Sequence, residues 1–208
     1  MSYDDDFYAR YESYLEEPGV RAKHDALFDL WVTAARKGSR QPVPIDLGCG
    51  RGQEYMNYCP GTPIYYGFDA NVNDESSVAD ASSTYLFKAD YRDPGFIERV
   101  KALQHEPDVF VSLFSAENTA TPSENQELYE RLFTGLPSLT HALVAGFYYS
   151  DRRDENPVVE TGGIVSFQTL PWIERESKVY DETRLVTPVP SDLFGPKVVE
   201  VWRILERR

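Results

Sequence analysis

A glycine-rich stretch, Ile45–Gly52, has the residue types and spacing best suited to hold a ligand. Its glycines stand at the alternate positions 48, 50 and 52, behind the acidic residue Asp46 and a short apolar run. Glycine lets the backbone adopt positive φ angles and lets a ligand approach more closely than a Cβ atom would permit. The stretch therefore predicts a strand, a tight turn and the start of a helix, with a ligand held against the loop.

Acidic side chains also follow later apolar runs of the chain. Asp69, Asp90 and Glu117 each come at the end of such a run or soon after it. In an open α/β sheet, the loops at the carboxyl ends of the strands converge on one crevice, so these carboxylates are expected to meet there. Asp69 stands about 20 residues after the glycine loop, where a carboxylate can bind a ribose diol. The crevice suits a ligand with hydroxyls, an amine and a positive centre.

Short apolar runs alternate with helical patterns from residue 42 onward, which is typical of β/α units. Strands are predicted over 43–47, 63–68, 84–88, 108–114 and 141–149, and around 164–170 and 198–205. Helices are predicted over 6–36 as a pair broken at Pro18-Gly19, after the glycine loop, weakly over 72–83, after Asp93-Pro94 and after Thr121-Pro122. This order predicts an α/β fold with a doubly wound, mostly parallel seven-stranded sheet that ends in a C-terminal antiparallel hairpin.

We expect a single domain over residues 1–208, made of an N-terminal helical cap over 1–41 and an α/β core over 42–208. The aromatic residues of the cap either pack on the core or include tyrosines that close over a substrate. The polar, proline-rich excursion 171–197 is long for a loop without structure. It is therefore either a functional flap or a segment with an element that the pattern does not reveal.

The charge balance narrows the class of partner. The chain has 34 acidic and 21 basic side chains, a formal net charge of −13, which repels phosphate backbones and disfavours nucleic acid. No apolar run reaches the ~20 residues that span a bilayer, and the acidic start is unlike a signal peptide. We therefore expect a cytoplasmic protein without a membrane partner. Cys49 and Cys59 are expected to be free thiols, and no metal site is predicted.

The spacing of the glycine loop distinguishes two classes of nucleotide-binding motif. Gln53 stands where the dinucleotide fingerprint G-x-G-x-x-G requires its third glycine. The sequence reads D-x-G-x-G-x-G instead, and Asp46–Gly52 resembles motif I of the class I S-adenosylmethionine-dependent methyltransferases. The resemblance covers residues 42–150 and the closing hairpin.

The resemblance implies S-adenosyl-L-methionine as the cofactor and suggests its contacts. In such enzymes the motif I glycines follow the methionine part, and the acidic residue before them holds the amino group directly or through water. The acidic residue after strand two binds the ribose hydroxyls, the one after strand three faces the adenine amino group, and the end of strand four borders the sulfonium. The implied cofactor-binding residues are Asp46, Gly48, Cys49, Gly50, Gly52, Asp69, Ala70, Asp90, Tyr91, Phe114 and Ser115.

Methyl transfer from a sulfonium is a direct in-line displacement, which an enzyme accelerates largely by alignment and desolvation. A general base is needed only for a hydroxyl or a protonated amine. Glu117, just beyond strand four, is the candidate catalytic residue, and His24 is the candidate base among the histidines, although isolated histidines more often pack or lie at the surface. The residues expected to line the substrate side are Tyr11, Asn118, Tyr148 and Tyr149.

The resemblance predicts a methyltransferase for an unidentified small-molecule acceptor, with a protein acceptor as a variant. The loop after the fourth strand reads Ser115-Ala116-Glu117-Asn118 rather than N/D-P-P-Y/F, which argues against N-methylation of adenine or cytosine. Two alternatives stay open. One is a non-catalytic module that keeps the fold for a binding or interaction role, and the other is an aminopropyltransferase that uses the decarboxylated cofactor.

Overall fold

The computed structural model describes residues 13–35, 42–50, 64–70, 77–80, 82–150, 158–160, 166–169, 176–189 and 198–208. Tyr11, Gly52, Cys59 and the helix predicted after the glycine loop lie outside these residues. The helices are α1 (Pro18–Ala35), α2 (Phe96–Lys101), α3 (Ala116–Thr119) and α4 (Pro122–Gly135), and residues 13–16 are also helical. The strands are β1 (Pro44–Leu47), β2 (Ile64–Asp69), β3 (Ser77–Asp80), β4 (Ser82–Lys88), β5 (Val109–Leu113), β6 (His141–Tyr149), β7 (Val158–Glu160), β8 (Ser166–Thr169), β9 (Tyr180–Pro188) and β10 (Val198–Arg207).

The strands form one sheet in the order β3-β4-β2-β1-β5-β6-β10-β9, with β8 paired to the end of β6 and β7 paired to β8. Strands β4, β2, β1, β5 and β6 run parallel to one another, whereas β10 is antiparallel to both β6 and β9. The path from β4 to β9 confirms the predicted seven-stranded, mostly parallel sheet with its antiparallel C-terminal hairpin.

The partner of the last strand differs from the sequence prediction. The strand predicted around 164–170 corresponds to β8, which pairs with β6 and β7, while β10 pairs with β9 inside the excursion 171–197. Of the two alternatives for this excursion, the structure supports the second, because the excursion contains a strand, β9, that the sequence pattern does not reveal. β9 lies at the edge of the sheet and most of its side chains are exposed. Because an edge strand buries little, it lacks the apolar alternation by which strands are recognised.

The segment 72–83, predicted to be weakly helical, is also corrected. It contains β3 and the first residues of β4, which pair antiparallel with each other. β4 also pairs in parallel with the whole of β2, from Ser83 to Lys88. A serine-rich sequence has no strong preference of its own, so backbone pairing with neighbouring strands decides its conformation.

Helices cover both faces of the sheet. Val109, Val111 and Leu113 of β5 pack in one apolar cluster with α1, whereas Phe110 packs in another with α2 and α4. All four side chains are buried. Alternate side chains of a strand point to opposite faces, so the near-continuous apolar run of β5 reflects burial on both sides, as expected for a central strand of a doubly wound sheet.

The start of α4 forms a capping box, in agreement with its sequence. Thr121 Oγ1 accepts a hydrogen bond from the Glu124 backbone N–H at 3.3 Å, and the Glu124 carboxylate accepts one from the Thr121 backbone N–H at 2.8 Å. Pro122 occupies the first turn, where no intrahelical partner exists for a backbone N–H. The cap fixes the point at which the chain leaves the loop after β5 and enters α4.

Thr121→Ala is expected to lower the free energy of unfolding by ~1 kcal/mol, because the substitution removes the side-chain cap. Thr134→Ala, at an exposed position in the last turn of the same helix, is the matched control. It should stay within about 0.5 kcal/mol of the unchanged protein. Denaturation followed by circular dichroism measures both, and equal losses in the two variants would contradict the role of the cap.

Candidate functional site

The carboxyl ends of β1, β2, β4 and β5 meet at one edge of the sheet, because these strands are parallel. The backbone N–H groups of Gly48 and Cys49 donate to the Phe68 carbonyl at 2.7 and 3.3 Å. The Gly50 N–H donates to the Asp69 carboxylate at 3.0 Å. The structure therefore brings the glycine loop and the acidic end of the second strand together.

The two described glycines of the loop, Gly48 and Gly50, adopt backbone conformations that other residues rarely take. Gly48 has a φ of +74° and Gly50 a φ of +53°. A Cβ atom at Gly48 would lie 1.7 Å from the Ser115 hydroxyl oxygen, whereas one at Gly50 would meet no atom of the described residues within 4 Å. Backbone and packing both require glycine at position 48, while no atom of the described residues occupies the space that a side chain at position 50 would take.

The loops after β4 and β5 meet at Tyr91 and Ser115. The Tyr91 hydroxyl lies 3.2 Å from Ser115 Oγ, and Ser115 is the residue against which Gly48 packs. Phe114, between β5 and Ser115, has a φ of +54°, which is uncommon for a residue with a side chain. Backbone strain of this kind costs free energy and is found where the surrounding structure requires it. Here it turns the end of β5 toward the glycine loop.

Asp90 and Ala70 are exposed at the same edge of the sheet. The Asp90 carboxylate accepts a hydrogen bond from the Arg92 backbone N–H at 2.9 Å. The Asp90 carbonyl accepts one from the Asp93 backbone N–H at 3.1 Å. These bonds close a turn after β4, and the turn holds Asp90 beside Tyr91 at the rim of the crevice.

Asp46 lies within β1, directly below the glycine loop, and is buried. It accepts a hydrogen bond from the Tyr65 hydroxyl at 2.6 Å. Burial raises the pKa of Asp46 from 3.8 to about 7, an effect that the bond from Tyr65 opposes in part and the charge of Asp69 increases. Asp46 is therefore a carboxyl that exchanges its proton near neutral pH.

Cys49 is held in the loop as a packing residue. A Cβ atom at Gly67 would lie 2.6 Å from Cys49 Sγ, so the sulfur fills the space that this glycine leaves. Burial raises the pKa of the Cys49 thiol, and the charges of Asp46 and Asp69 raise it further. A reactive cysteine requires the opposite shift.

Glu117, the predicted catalytic residue, is fully buried in α3. Its carboxylate accepts hydrogen bonds from the Tyr129 hydroxyl at 2.5 Å, from the Tyr148 hydroxyl and from the Arg203 guanidinium at 2.9 Å. A Cβ atom at Gly146 would lie 2.4 Å from Glu117 Cβ, so the missing side chain makes room for α3. These contacts bind α3 to α4, β6 and β10. A catalytic role for Glu117 stays a prediction, and the contacts favour a structural one.

Two of the predicted substrate-side residues belong to the same buried region. Asn118 Oδ1 accepts a hydrogen bond from the Phe147 backbone N–H at 3.0 Å, and Tyr148 donates to Glu117. Both side chains are buried. Tyr11 and the side chain of Tyr149 lie outside the described residues. The structure thus groups Asn118 and Tyr148 with Glu117, and their contact with a substrate stays a prediction.

Known proteins match the chain in structure and not in sequence. No protein-family model and no curated protein sequence matches it. A cyclopropane synthase from Mycobacterium tuberculosis is 11% identical with a TM-score of 0.62, over 98% of this chain and 94% of that one. Geranyl diphosphate methyltransferase in complex with S-adenosylmethionine is 10% identical with a TM-score of 0.59, over 95% of each chain. Magnesium protoporphyrin IX methyltransferase from Synechocystis with bound S-adenosylhomocysteine is 11% identical with a TM-score of 0.56, over 98% and 95%.

The chain has the class I methyltransferase fold. At these identities the likeness extends to the order and direction of the strands and to the helices that cover them. In the described part of this methyltransferase fold, histidine, cysteine, aspartate and glutamate side chains form no group of three or more that could hold a metal ion.

The methyltransferase fold also contains a buried carboxylate that the sequence reasoning did not single out, Glu200 of β10. It accepts hydrogen bonds from the Tyr14 hydroxyl at 2.9 Å and the Trp202 indole at 2.8 Å, and it lies 2.5 Å from His24 Nε2. Lys23 forms an ion pair with it. Burial raises the pKa of Glu200, but the hydrogen bonds and charges of His24 and Lys23 outweigh burial and hold it at about 2. The sequence does contain one signal for Glu200. It stands two residues before Trp202 in a predicted strand, and side chains at this spacing lie on the same face of the strand.

Arg203 is another buried charge that the sequence pattern does not reveal. Its guanidinium donates to the Glu117 carboxylate at 2.9 Å and to the Glu182 carboxylate at 2.9 Å. Because Arg203 and Glu200 differ in parity along β10, they lie on opposite faces of the methyltransferase sheet. Both partners of Arg203 are distant in sequence, so no local pattern identifies the pair.

Asp46→Asn should remove a pH dependence of stability. The raised pKa of Asp46 means that its folded form binds a proton more tightly than its unfolded form, so the unchanged protein loses stability as pH rises from about 4 to about 7. We expect the unchanged protein, measured without ligand, to lose at least about 1 kcal/mol relative to Asp46→Asn between pH 5 and pH 8. Urea denaturation at both pH values measures the difference.

The matched control for this measurement is Asp90→Asn, because Asp90 is exposed at the same edge. It should follow the pH dependence of the unchanged protein. Parallel stability curves for Asp46→Asn and the unchanged protein would show that Asp46 does not titrate in this range.

Proposed function

We propose that the chain is an S-adenosylmethionine-dependent methyltransferase that acts on a small-molecule acceptor. The observation that carries the proposal is the glycine loop, in which Gly48 packs against Ser115 and the Gly50 backbone N–H donates to Asp69, with no described side chain or backbone within 4 Å of a Cβ position at Gly50. The fold supports it, because matching structures were determined with S-adenosylmethionine or S-adenosylhomocysteine. The sequence D-x-G-x-G-x-G at 46–52 supports it independently.

The residues of the crevice fit such a cofactor. We assign the methionine part to the loop that includes Gly48, Cys49 and Gly50, because a ligand can reach this backbone without meeting a Cβ atom. The carboxylate of Asp69, at the end of β2, is suited to the ribose hydroxyls. Further members of the proposed site are Asp46 for the amino group, Gly52 in the loop, Ala70 beside the ribose, Asp90 and Tyr91 for the adenine, and Phe114 and Ser115 beside the sulfonium.

When bound, the cofactor supplies an electrophilic methyl group on a positively charged sulfur. The protein contributes alignment and exclusion of water. Phe114 stacks on Phe147 with ring centroids 4.6 Å apart, and its edge faces Trp202 at 5.8 Å. Aromatic faces attract cations and keep water away, so this wall suits the neighbourhood of a sulfonium.

A small-molecule acceptor agrees with the charge of the chain. The formal net charge of −13 opposes binding to a phosphate backbone. In the segments that the structure describes, no helix combines the length and apolar character needed to cross a membrane. Two proteins of matching structure are methyltransferases named for geranyl diphosphate and for magnesium protoporphyrin IX, both small molecules.

Calorimetry with S-adenosylmethionine tests the proposed cofactor. Asp69→Ala should weaken binding by ~1–3 kcal/mol, roughly 5- to 150-fold, because a hydrogen bond to a charged group is lost. Asp25→Ala, an exposed acidic position on α1, is the control and should bind as the unchanged protein does. Absence of binding to the unchanged protein at millimolar ligand would refute the proposed function, and equal affinity in Asp69→Ala would remove Asp69 from the site.

Gly50→Ala provides a second test of the same site. The new Cβ atom would meet no atom of the described residues within 4 Å, and we expect it to interfere with a ligand held against the loop. Backbone strain at φ +53° adds a stability cost of order 1–2 kcal/mol. We expect this variant to stay folded and to lose at least about tenfold in affinity for S-adenosylmethionine. Gly19→Ala, where a Cβ atom is also unopposed, is the control. Unchanged affinity in a folded Gly50→Ala would place the ligand elsewhere.

A further inference from the structure

The sheet ends at β9 in an edge strand that lacks the usual protection against pairing with another chain. β9 is the last strand in the sheet order, and its 9 residues pair with β10 in one uninterrupted register, so the strand contains no bulge. Native edge strands are commonly short or bulged, or carry lysine and proline. β9 has no lysine, and its one proline, Pro188, is its last residue. Its outer backbone groups therefore form a template on which a further strand can pair.

The side chains of β9 present apolar surface to solvent. Leu185 is 42% exposed and Val186 is 44% exposed, and as neighbours along a strand they lie on opposite faces of the sheet. Among the residues that the structure describes, the exposed large apolar side chains are these two and Leu30 of α1. A single exposed leucine needs no explanation. Two adjacent apolar side chains on an unprotected edge strand favour a further strand beside it.

The sequence of β9 complements itself when two copies run antiparallel. Residues that stand directly opposite each other in such a pair lie on the same face of the sheet. One register, with residue 183 opposite its own copy, matches side chains along the strand. Its pairs are Thr183 with the partner's Thr183, Glu182 with the partner's Arg184, Tyr180 with the partner's Val186 and Asp181 with the partner's Leu185. The first three are threonine, opposite-charge and aromatic–β-branched pairs, which are the cross-strand combinations that stabilise sheets.

Charge distinguishes this register from the neighbouring ones. With Arg184 opposite the partner's Arg184, like charges would meet, and with Leu185 opposite the partner's Leu185, no opposite charges would meet. Burial raises the pKa of Glu182, but the hydrogen bonds and charges of Arg203 and Arg184 outweigh burial and lower it, so Glu182 is charged. Arg184 lies 2.7 Å from Glu182 of its own strand. Two copies would thus form one network of charges, which contributes more than isolated surface pairs do.

We propose that two copies of the chain form a dimer through β9, by antiparallel pairing of the two strands about a twofold axis at Thr183. The dimer joins the two sheets into one continuous sheet. A strand pair of this length is a small interface, and the net charge of −13 on each copy opposes association, so monomer and dimer exchange. In the sheet, β10, β6 and β5 lie between β9 and β1, which carries the glycine loop, so the dimer does not depend on the proposed function.

Analytical ultracentrifugation of the full chain without ligand tests the dimer. We expect the unchanged protein to pass from monomer to dimer between about 5 μM and about 500 μM. Arg184→Glu sets like charges opposite each other twice per dimer and should raise the dissociation constant at least about fivefold. Lys101→Glu is the matched control, because it makes the same charge change at an exposed residue that also pairs with a glutamate of its own chain.

Two outcomes of this measurement would overturn the proposal. A monomer at every concentration would leave the edge of β9 to a strand of another protein. A dimer with the same dissociation constant in Arg184→Glu and Lys101→Glu would place the interface elsewhere on the chain. Circular dichroism of both variants checks that they are folded, which is expected because both positions are exposed.

Thr183→Cys tests the register. Because residue 183 would stand opposite its own copy, the Cβ atoms of the new thiols would lie ~4.5–5.5 Å apart, and mild oxidation should link the two copies. Leu185→Cys is the matched control, because residue 185 would lie four positions from its own copy, roughly 13 Å away, which is too far for a disulfide. Both variants keep Cys49 and Cys59, so mass spectrometry of the linked peptides identifies the bond. Linkage at Leu185→Cys, or a dimer of Thr183→Cys that does not link, would overturn the proposed pairing.

Discussion

The absence of a side chain at Gly48 is the constraint on which the crevice depends. Any Cβ atom there would collide with the Ser115 hydroxyl, 1.7 Å away, so the loops after β1 and β5 approach as closely as they do only because residue 48 is glycine. That approach fixes the positions of Phe114 and Ser115, and through the Tyr91–Ser115 contact of 3.2 Å it also fixes the loop after β4. The strained backbone of Phe114 is the cost of this arrangement. Three loops that are remote in sequence therefore form one surface because of one missing methyl group.

Two buried carboxylates show how the surroundings decide the chemistry of identical groups. Burial raises the pKa of both Asp46 and Glu200. Asp46 has one hydrogen-bond donor of note, Tyr65, and the negative Asp69 nearby, so its pKa stays near 7. Around Glu200, the donors and positive charges of His24 and Lys23 outweigh burial and bring the pKa to about 2. The first carboxyl can give or take a proton, whereas the second is a fixed negative charge that orients its neighbours.

The sequence predicted those parts of the molecule whose causes are local. Glycines at 48 and 50, the acidic end of β2 and the capping box at Thr121 are each specified by a few adjacent residues, and the alternation of apolar runs predicted the parallel core of the sheet. The apolar pattern did not predict β9, because an edge strand needs no apolar face. The sequence pattern did not predict the partners of Glu117 and Glu200, because these partners come from helices and strands far along the chain. Only the folded structure brings Arg203 to Glu117 and His24 to Glu200. Both carboxylates turned out to be buried and enclosed by donors.

The place of β10 between two earlier strands has a consequence for the synthesis of the chain. β10 lies between β6 and β9, both of which precede it in sequence, and it supplies Glu200 on one face and Arg203 on the other. During translation, β6 and β9 therefore emerge with no strand between them, and Glu117 and Lys23 emerge before Arg203 and Glu200, the charges with which they pair. Until residues 198–207 have been made, the edges of β6 and β9 that β10 joins stay unpaired, and Glu117 and Lys23 lack these partners.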